Sequence, residues 1–466
     1  TCLLLALVMV FAMASAASAA GGTSTITAPA GSKRIYEIYQ IFTGDLDEAT
    51  KKLSNVKWGQ NGTGKVGEDV EEAILEALAD VNSKSDAEKM AEIEKYVNLS
   101  SAKYGEVKDG TPLTVPNGYY LIKDAGPVEE GEVYSRYVVK IVGNTTISPK
   151  VSDVSFEKKI KDTNDSTAVT SNWQDSADYD IGDSVPFQLK GTVAKDFAEY
   201  QNDYYFAFHD EMEETLDFEA ASLKVFVDGE RITEGFDVSS SAHAFDLVFA
   251  NLKNIASVKA GSVITVEYTA KLNSTAVLGK DGNVNKARLE YSNNPYSEQK
   301  GFTNWDNVIV FTYQVVVNKY ANAVAEGSEK TGAAFKLEKK VGEAWETVKE
   351  FQPDENTYTF TFKGLDDGQY RLTETVTPAG FNTIDPIEFT VTAEHTVQWE
   401  GQNRDTILTS LSGGTEVTGE ITFTPSDDHG TLTTNVVNKS GSTLPETGGM
   451  GTTLFYVLGG VLVLAA

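Results

Sequence analysis

The chain has 466 residues, 41% of them hydrophobic, and a formal net charge of −29. That hydrophobic share excludes an acidic disordered chain, and the length predicts about three domains. The charge excludes nucleic acid and anionic membrane surfaces as partners. The single cysteine, Cys2, lies in an N-terminal apolar run, so the remainder can form no disulfide.

Residues 1–20 read as a secretory signal peptide, with small residues Ala17, Ser18 and Ala19 at the cleavage site. The missing initiator Met and basic n-region are read as clipping at that end. In residues 21–148, positions 34–42 alternate polar and apolar as a half-buried strand does. Helical spacing then takes over across 69–97, and strands return at 118–123 and 137–142. This predicts an α+β or β-rich domain with a helical insertion. Residues 149–313 carry alternating runs at 154–160, 184–189, 223–227, 263–270 and 308–313, separated by turn-forming clusters, as in an all-β sandwich. Residues 314–439 repeat the style at 315–319, 334–338, 357–362, 370–375, 387–391 and 432–437. The predicted fold class is mainly β: tandem immunoglobulin-like β-sandwich domains with a helical insertion in the first.

Residues 440–466 hold a short linker, the motif Leu444-Pro445-Glu446-Thr447-Gly448 and an apolar run over 450–466. Pro445 keeps the segment extended, and Gly448 puts no side chain beside the Thr447–Gly448 bond. The run is shorter than the roughly 20 residues of a spanning helix and has no Lys or Arg behind it, which is read as truncation. Motif and tail together resemble the cell-wall sorting signal of Gram-positive surface proteins. The resemblance implies that a sortase cleaves after Thr447 and joins its carboxyl to an amine.

Within 314–439, residues 362–381 read FKGLDDGQYRLTETVTPAGF. They resemble the E-box of collagen-adhesin B-type domains found in pilins. That family joins a Lys of the first strand to an Asn of the last by an isopeptide bond promoted by the E-box Glu. The resemblance maps these roles to Lys319, Asn438 and Glu374. The residues agree: Val315, Val317 and Lys319 share a strand face, as do Tyr370, Leu372 and Glu374. A buried Lys loses its proton and becomes a nucleophile, and a buried Glu is driven toward its protonated form.

The middle segment resembles the isopeptide-forming second domain of sortase-assembled backbone pilins. The resemblance rests on residues 156–160 (FEKKI), 181–185 (IGDSV), 206–210 (FAFHD) and 283–287 (NVNKA). It implies a Lys, an Asp and an Asn. Lys158 is preferred to Lys159 because it shares a face with Phe156 and Ile160. Asp210 shares one with Phe206 and Phe208. Asn285 is the expected acceptor and Asn293 the alternative. Lys150, after Pro149, resembles the pilin-motif lysine that attacks the Thr–sortase thioester of the next subunit, although Ser148 and Val151 depart from the family's Tyr-Pro-Lys-Asn.

The four histidines are scattered without ligand spacing, and Asp281, Asn283 and Asn285 start a calcium loop that Lys286 and Ser292 break. No metal, no cofactor and no enzyme site is expected. The reading as a whole is a secreted, wall-anchored backbone pilin, polymerised between Thr447 and Lys150. Its expected partners are a pilin-specific sortase, copies of itself, minor pilins and peptidoglycan, with any host ligand unknown. The alternatives are a wall-anchored monomeric adhesin and a minor or basal pilin.

Overall fold

The structure is a computed structural model that describes residues 22–47, 52–80, 84, 86–141, 143–147, 154–401, 403–415 and 421–441. The chain falls into two compact units, residues 1–160, 184–271 and 284–308 in one and residues 161–183, 272–283 and 309–466 in the other. Strands dominate both.

The first unit begins with a sheet centred on Ile35–Asp47, paired antiparallel with Gly118–Gly126, Lys52–Trp58 and Gly105–Lys108. Gly118–Gly126 is buried on both faces. Tyr120 and Ile122 join a cluster with Tyr36, Ile38 and Val115, whereas Tyr119 and Leu121 join one with Tyr39, Ile41 and Trp58. The predicted helical stretch resolves into Glu72–Asp80 and Asp86–Glu94, which contribute Leu78 and Ile93 to the second cluster. Arg34 is the buried cation here, bound to Asp124 at 2.5 Å and Glu132 at 2.6 Å. A guanidinium does not deprotonate, so this pairing is structural.

The rest of the first unit is a sandwich. One sheet orders Glu230–Ile232, Lys224–Val227, Val263–Leu272, Ser184–Thr192 and Phe156–Ile160. The other pairs Phe206–Met212 with Ala244–Phe249 on one side and Asn283–Ser292 on the other. Gly191 allows the sheets to meet closely: a Cβ there would come within 2.8 Å of the Phe206 ring.

The second unit contains another sandwich. Tyr313–Ala321 pairs in parallel with Thr431–Asn438 and antiparallel with Thr359–Leu365. The companion sheet orders Ala344–Glu350, Ala334–Val341, Gly368–Val376, Ile387–His395 and Leu408–Thr415. The strand predicted over 308–313 is in fact the end of Asp306–Phe311 and the start of Tyr313–Ala321, parted at Thr312. Among the described residues no helix is long and apolar enough to cross a membrane. The apolar run 450–466 lies outside them.

Candidate functional site

Three lysines are buried among the described residues: Lys158, Lys319 and Lys339. A buried ammonium must be paired or lose its proton. The partners of each lysine therefore decide its chemistry.

Lys339 donates to Asp165 at 2.8 Å and Asp180 at 2.7 Å, and also contacts the Asp366 carboxylate. Burial opposes its charge, but these carboxylates outweigh burial and hold its pKa above the ordinary lysine value. It stays an ammonium and is no nucleophile. Nearby Asp183 is pushed up to about 6 by burial, with Asp180 and Asp165 adding. The folded state thus holds that proton more tightly than the unfolded one. The stability it contributes is present below the unfolded value of 3.8 and is lost as pH rises through about 6. In scanning calorimetry, Asp183→Asn is expected to raise the melting temperature at pH 7 by about 2–4 °C and to change it little at pH 4.

Lys158 is different. Its strand turns Lys158 and Ile160 inward, and its Nζ lies 2.5 Å from Asp210 Oδ2 and donates to the Tyr268 hydroxyl at 2.8 Å. Tyr268 donates to the same Asp210 oxygen at 2.6 Å and accepts from Asn285 Nδ2 at 2.9 Å. All four residues are buried. Asp210 stands opposite Ala287 and Met212 opposite Asn285, so Asp210 and Asn285 are diagonal neighbours on one face. Burial lowers the Lys158 pKa against the pull of Asp210, and burial raises that of Asp210 against the pull of Lys158. Both shifts favour a neutral amine beside a carboxylic acid. Burial likewise holds the Tyr268 hydroxyl protonated.

Lys159 points to the opposite face of its strand and is half-buried. Asn293 lies elsewhere: its carbonyl accepts from the Tyr134 N–H and its side chain packs against Gly301. The geometry thus gathers Lys158, Asp210 and Asn285. Sequence reasoning misses Tyr268 at their centre, although the alternation Ile264, Val266, Tyr268, Ala270, Leu272 marks its inward face.

In the second unit the parallel register sets Asn438 opposite Ala321, two residues beyond Lys319 on the same face. Glu374 reaches them from the companion sheet. Lys319 Nζ lies 3.9 Å from Glu374 Oε1, and Asn438 Nδ2 donates to Glu374 Oε2 at 2.9 Å and to the Asn382 carbonyl at 2.6 Å. Glu374 Oε2 also accepts from Thr377 and the Ile384 N–H, both at 3.2 Å. Burial brings the Lys319 pKa down to about 8, with Glu374 opposing.

The two trios share one further feature. Asp210 Oδ1 and Asn285 Oδ1 in the first, and Glu374 Oε1 and Asn438 Oδ1 in the second, are buried without a hydrogen-bond partner. An orphaned buried oxygen costs about 1–3 kcal/mol. A proton on the acid would give the amide oxygen its donor and polarise the amide carbon. A deprotonated lysine beside a polarised amide is equipped for acyl transfer. Lys150 and the motif Leu444, Pro445, Glu446, Thr447 and Gly448 lie outside the described residues.

Residues 314–405 match the SpaA prealbumin-like fold domain. The trypsin-resistant surface T6 protein of Streptococcus pyogenes serotype M6 is 24% identical over 256 residues, 43% of this chain. The chain spans about half the length of that curated relative, 46%. Among solved structures, the T6 backbone pilin of serotype M6 S. pyogenes superposes with a TM-score of 0.55 at 18% identity, covering 92% of this chain and 100% of its own. The full-length major pilin SpaD from Corynebacterium diphtheriae gives a TM-score of 0.52 at 16% identity, covering 90% and 98%. Residues 314–405 therefore form a SpaA-type prealbumin-like domain, and the chain has the fold of the major pilins of Gram-positive bacteria.

Proposed function

We propose that this chain is a structural backbone subunit of a covalent cell-surface pilus and performs no turnover catalysis. The observation that carries this reading is the pair of buried Lys–acid–Asn trios, each with an orphaned acid oxygen and an orphaned amide oxygen. In each trio the neutral lysine Nζ attacks the asparagine Cγ while the acid proton stabilises the carbonyl oxygen. The Nζ–Cγ bond forms, the Cγ–Nδ2 bond breaks, and the lysine proton passes through the carboxyl to Nδ2, which leaves as ammonia. Folding supplies the proximity. The resulting amides, Lys158–Asn285 and Lys319–Asn438, would stand in for the absent disulfides along three modules, residues 21–148, 149–313 and 314–439.

A sortase would cleave after Thr447 and transfer the acyl group to Lys150 of the next copy, with minor pilins and peptidoglycan as the remaining partners at the wall. Lys150 need not be buried, because the thioester is already activated. Expressed with its sortase, Lys150→Arg is expected to abolish the high-molecular-weight ladder on denaturing gels while the monomer still folds. An undiminished ladder would assign the acceptor to another lysine. A wild-type chain that gives no ladder would be a wall-anchored monomer.

The Lys319 value also sets a rate. Below about 8, the fraction of neutral amine rises about tenfold per pH unit. Formation of the Lys319–Asn438 bond in freshly synthesised chain, followed by mass spectrometry of its peptides, should accelerate accordingly from pH 6 to 7 and level off above about 8. A rate independent of pH would remove proton loss from Lys319 as the limiting event.

A further inference from the structure

The fold gathers three donors that lie far apart in the chain. Asp162, Asp178 and His395 each offer one ligand atom, all within 4.8 Å of one another. The His395 ring is oriented by a relay. Ser176 Oγ lies 2.7 Å from the Thr396 carbonyl oxygen and 2.7 Å from His395 Nδ1. A hydroxyl has one proton and a carbonyl oxygen only accepts. Ser176 therefore donates to Thr396, and His395 Nδ1 must donate to Ser176. In a neutral imidazole this leaves a lone pair on Nε2. That lone pair faces Asp162 Oδ2 at 3.3 Å. Asp178, 2% exposed, accepts from the Asp367 N–H at 3.2 Å, and no Lys or Arg nitrogen pairs with it among the described residues. Three acceptors packed this closely favour a shared positive charge, a proton or a metal ion, and burial beside Asp162 and Asp367 holds the Asp178 pKa well above the usual carboxylate value.

We propose that Asp162, Asp178 and His395 Nε2 form a binding site for a divalent transition metal, with zinc the best fit to the donors. Ligands held tetrahedrally at zinc distances of about 2.0–2.1 Å lie about 3.3–3.4 Å apart, and the His395–Asp162 spacing is 3.3 Å. One imidazole with two carboxylates suits zinc better than calcium or magnesium, which take oxygen ligands. A metal-bound histidine donates its other ring N–H to an outer partner, and Ser176 already accepts that bond. The buried Tyr313 hydroxyl lies within hydrogen-bonding reach of the Asp178 carboxylate and helps to orient it. Such an ion would fasten segment 161–183 to the strand Ile387–His395, a reversible clamp beside the covalent ones.

The test is calorimetric titration of the untagged, chelator-stripped mature chain with zinc at pH 7. One zinc per chain is expected to bind at micromolar concentration or tighter. His395→Ala should weaken binding about a hundredfold or more and Asp162→Asn about tenfold or more, whereas the exposed His429→Ala should leave it unchanged. Cobalt(II) in place of zinc should show the visible absorption of a tetrahedral ion, lost in His395→Ala. If His395→Ala does not fold, Asp162→Asn at the less buried edge decides the question. No saturable zinc binding, or binding unchanged in the folded variants, would overturn the site. A His395 ring that is an imidazolium by NMR at pH 7 and ignores added zinc would reduce the contact to an ion pair with Asp162 and overturn it as well.

Discussion

Asp210→Ala is expected to raise the intact mass by one ammonia relative to the bonded chain, after correction for the substitution, and to lower the melting temperature by tens of degrees. Two costs combine. The proposed Lys158–Asn285 link would close a loop of more than a hundred residues, and its loss would cost about 4–5 kcal/mol by loop-closure entropy. The substitution also leaves the buried Lys158 amine, packed against Phe187 and Tyr268, without its Asp210 hydrogen-bond partner, at about 1–3 kcal/mol. Together these rival the whole stability of an ordinary domain. Asn285→Ala separates the terms: it cannot form the bond but keeps the Lys158–Asp210 pair, so its loss should be about 4–5 kcal/mol. Intact mass spectrometry and calorimetry on the three proteins give both readings. A wild-type mass equal to the sum of its residues would refute the bond outright.

Glu374→Ala is the second large effect, confined to the second unit. It removes the acid that meets Lys319 and Asn438 and strips acceptors from Thr377, Ile384 and Asn438. The Lys319–Asn438 bond should fail to form, restoring one ammonia and not two, because the Lys158 trio is untouched. The lost link again spans more than a hundred residues, so about 4–5 kcal/mol goes, or a fall of about 10–20 °C for a unit of this size. Trypsin is expected to cut within residues 314–439 of the variant faster than in the wild type. Glu374→Gln keeps a hydrogen bond to Asn438 but carries no transferable proton, and should behave as Glu374→Ala does in mass. A variant that loses two ammonia fewer than the wild type would show that the trios are coupled.

Much of this fold is legible in local pattern. Val315, Val317 and Lys319, or Phe206, Phe208 and Asp210, state by their period of two which side chains go inward. The reading fails where the pattern itself is missing. Ala344–Glu350 is a strand with no buried side chain, so no alternation announces it. Thr312 is fully buried between two strands and reads as part of one, because its break is a matter of pairing.

Alternation alone determined that four polar groups, Lys158, Asp210, Lys319 and Glu374, would face a core, since strand periodicity is a property of consecutive residues. Only the tertiary structure decided what they meet there. Asn285 and not Asn293 shares Tyr268 with Lys158, because strand register places it diagonal to Asp210. Lys339 is buried like Lys158 and Lys319, yet it keeps its proton because Asp366, with Asp180 and Asp165 from segment 161–183, surrounds it. Asp162, Asp178 and His395 have no spacing that sequence could read as a ligand set; chain crossings alone make them neighbours. A buried charge takes its chemistry from the few groups within about 4 Å, and those groups come from segments distant in the chain, 52 residues away for Asp210 and 174 for Asp165.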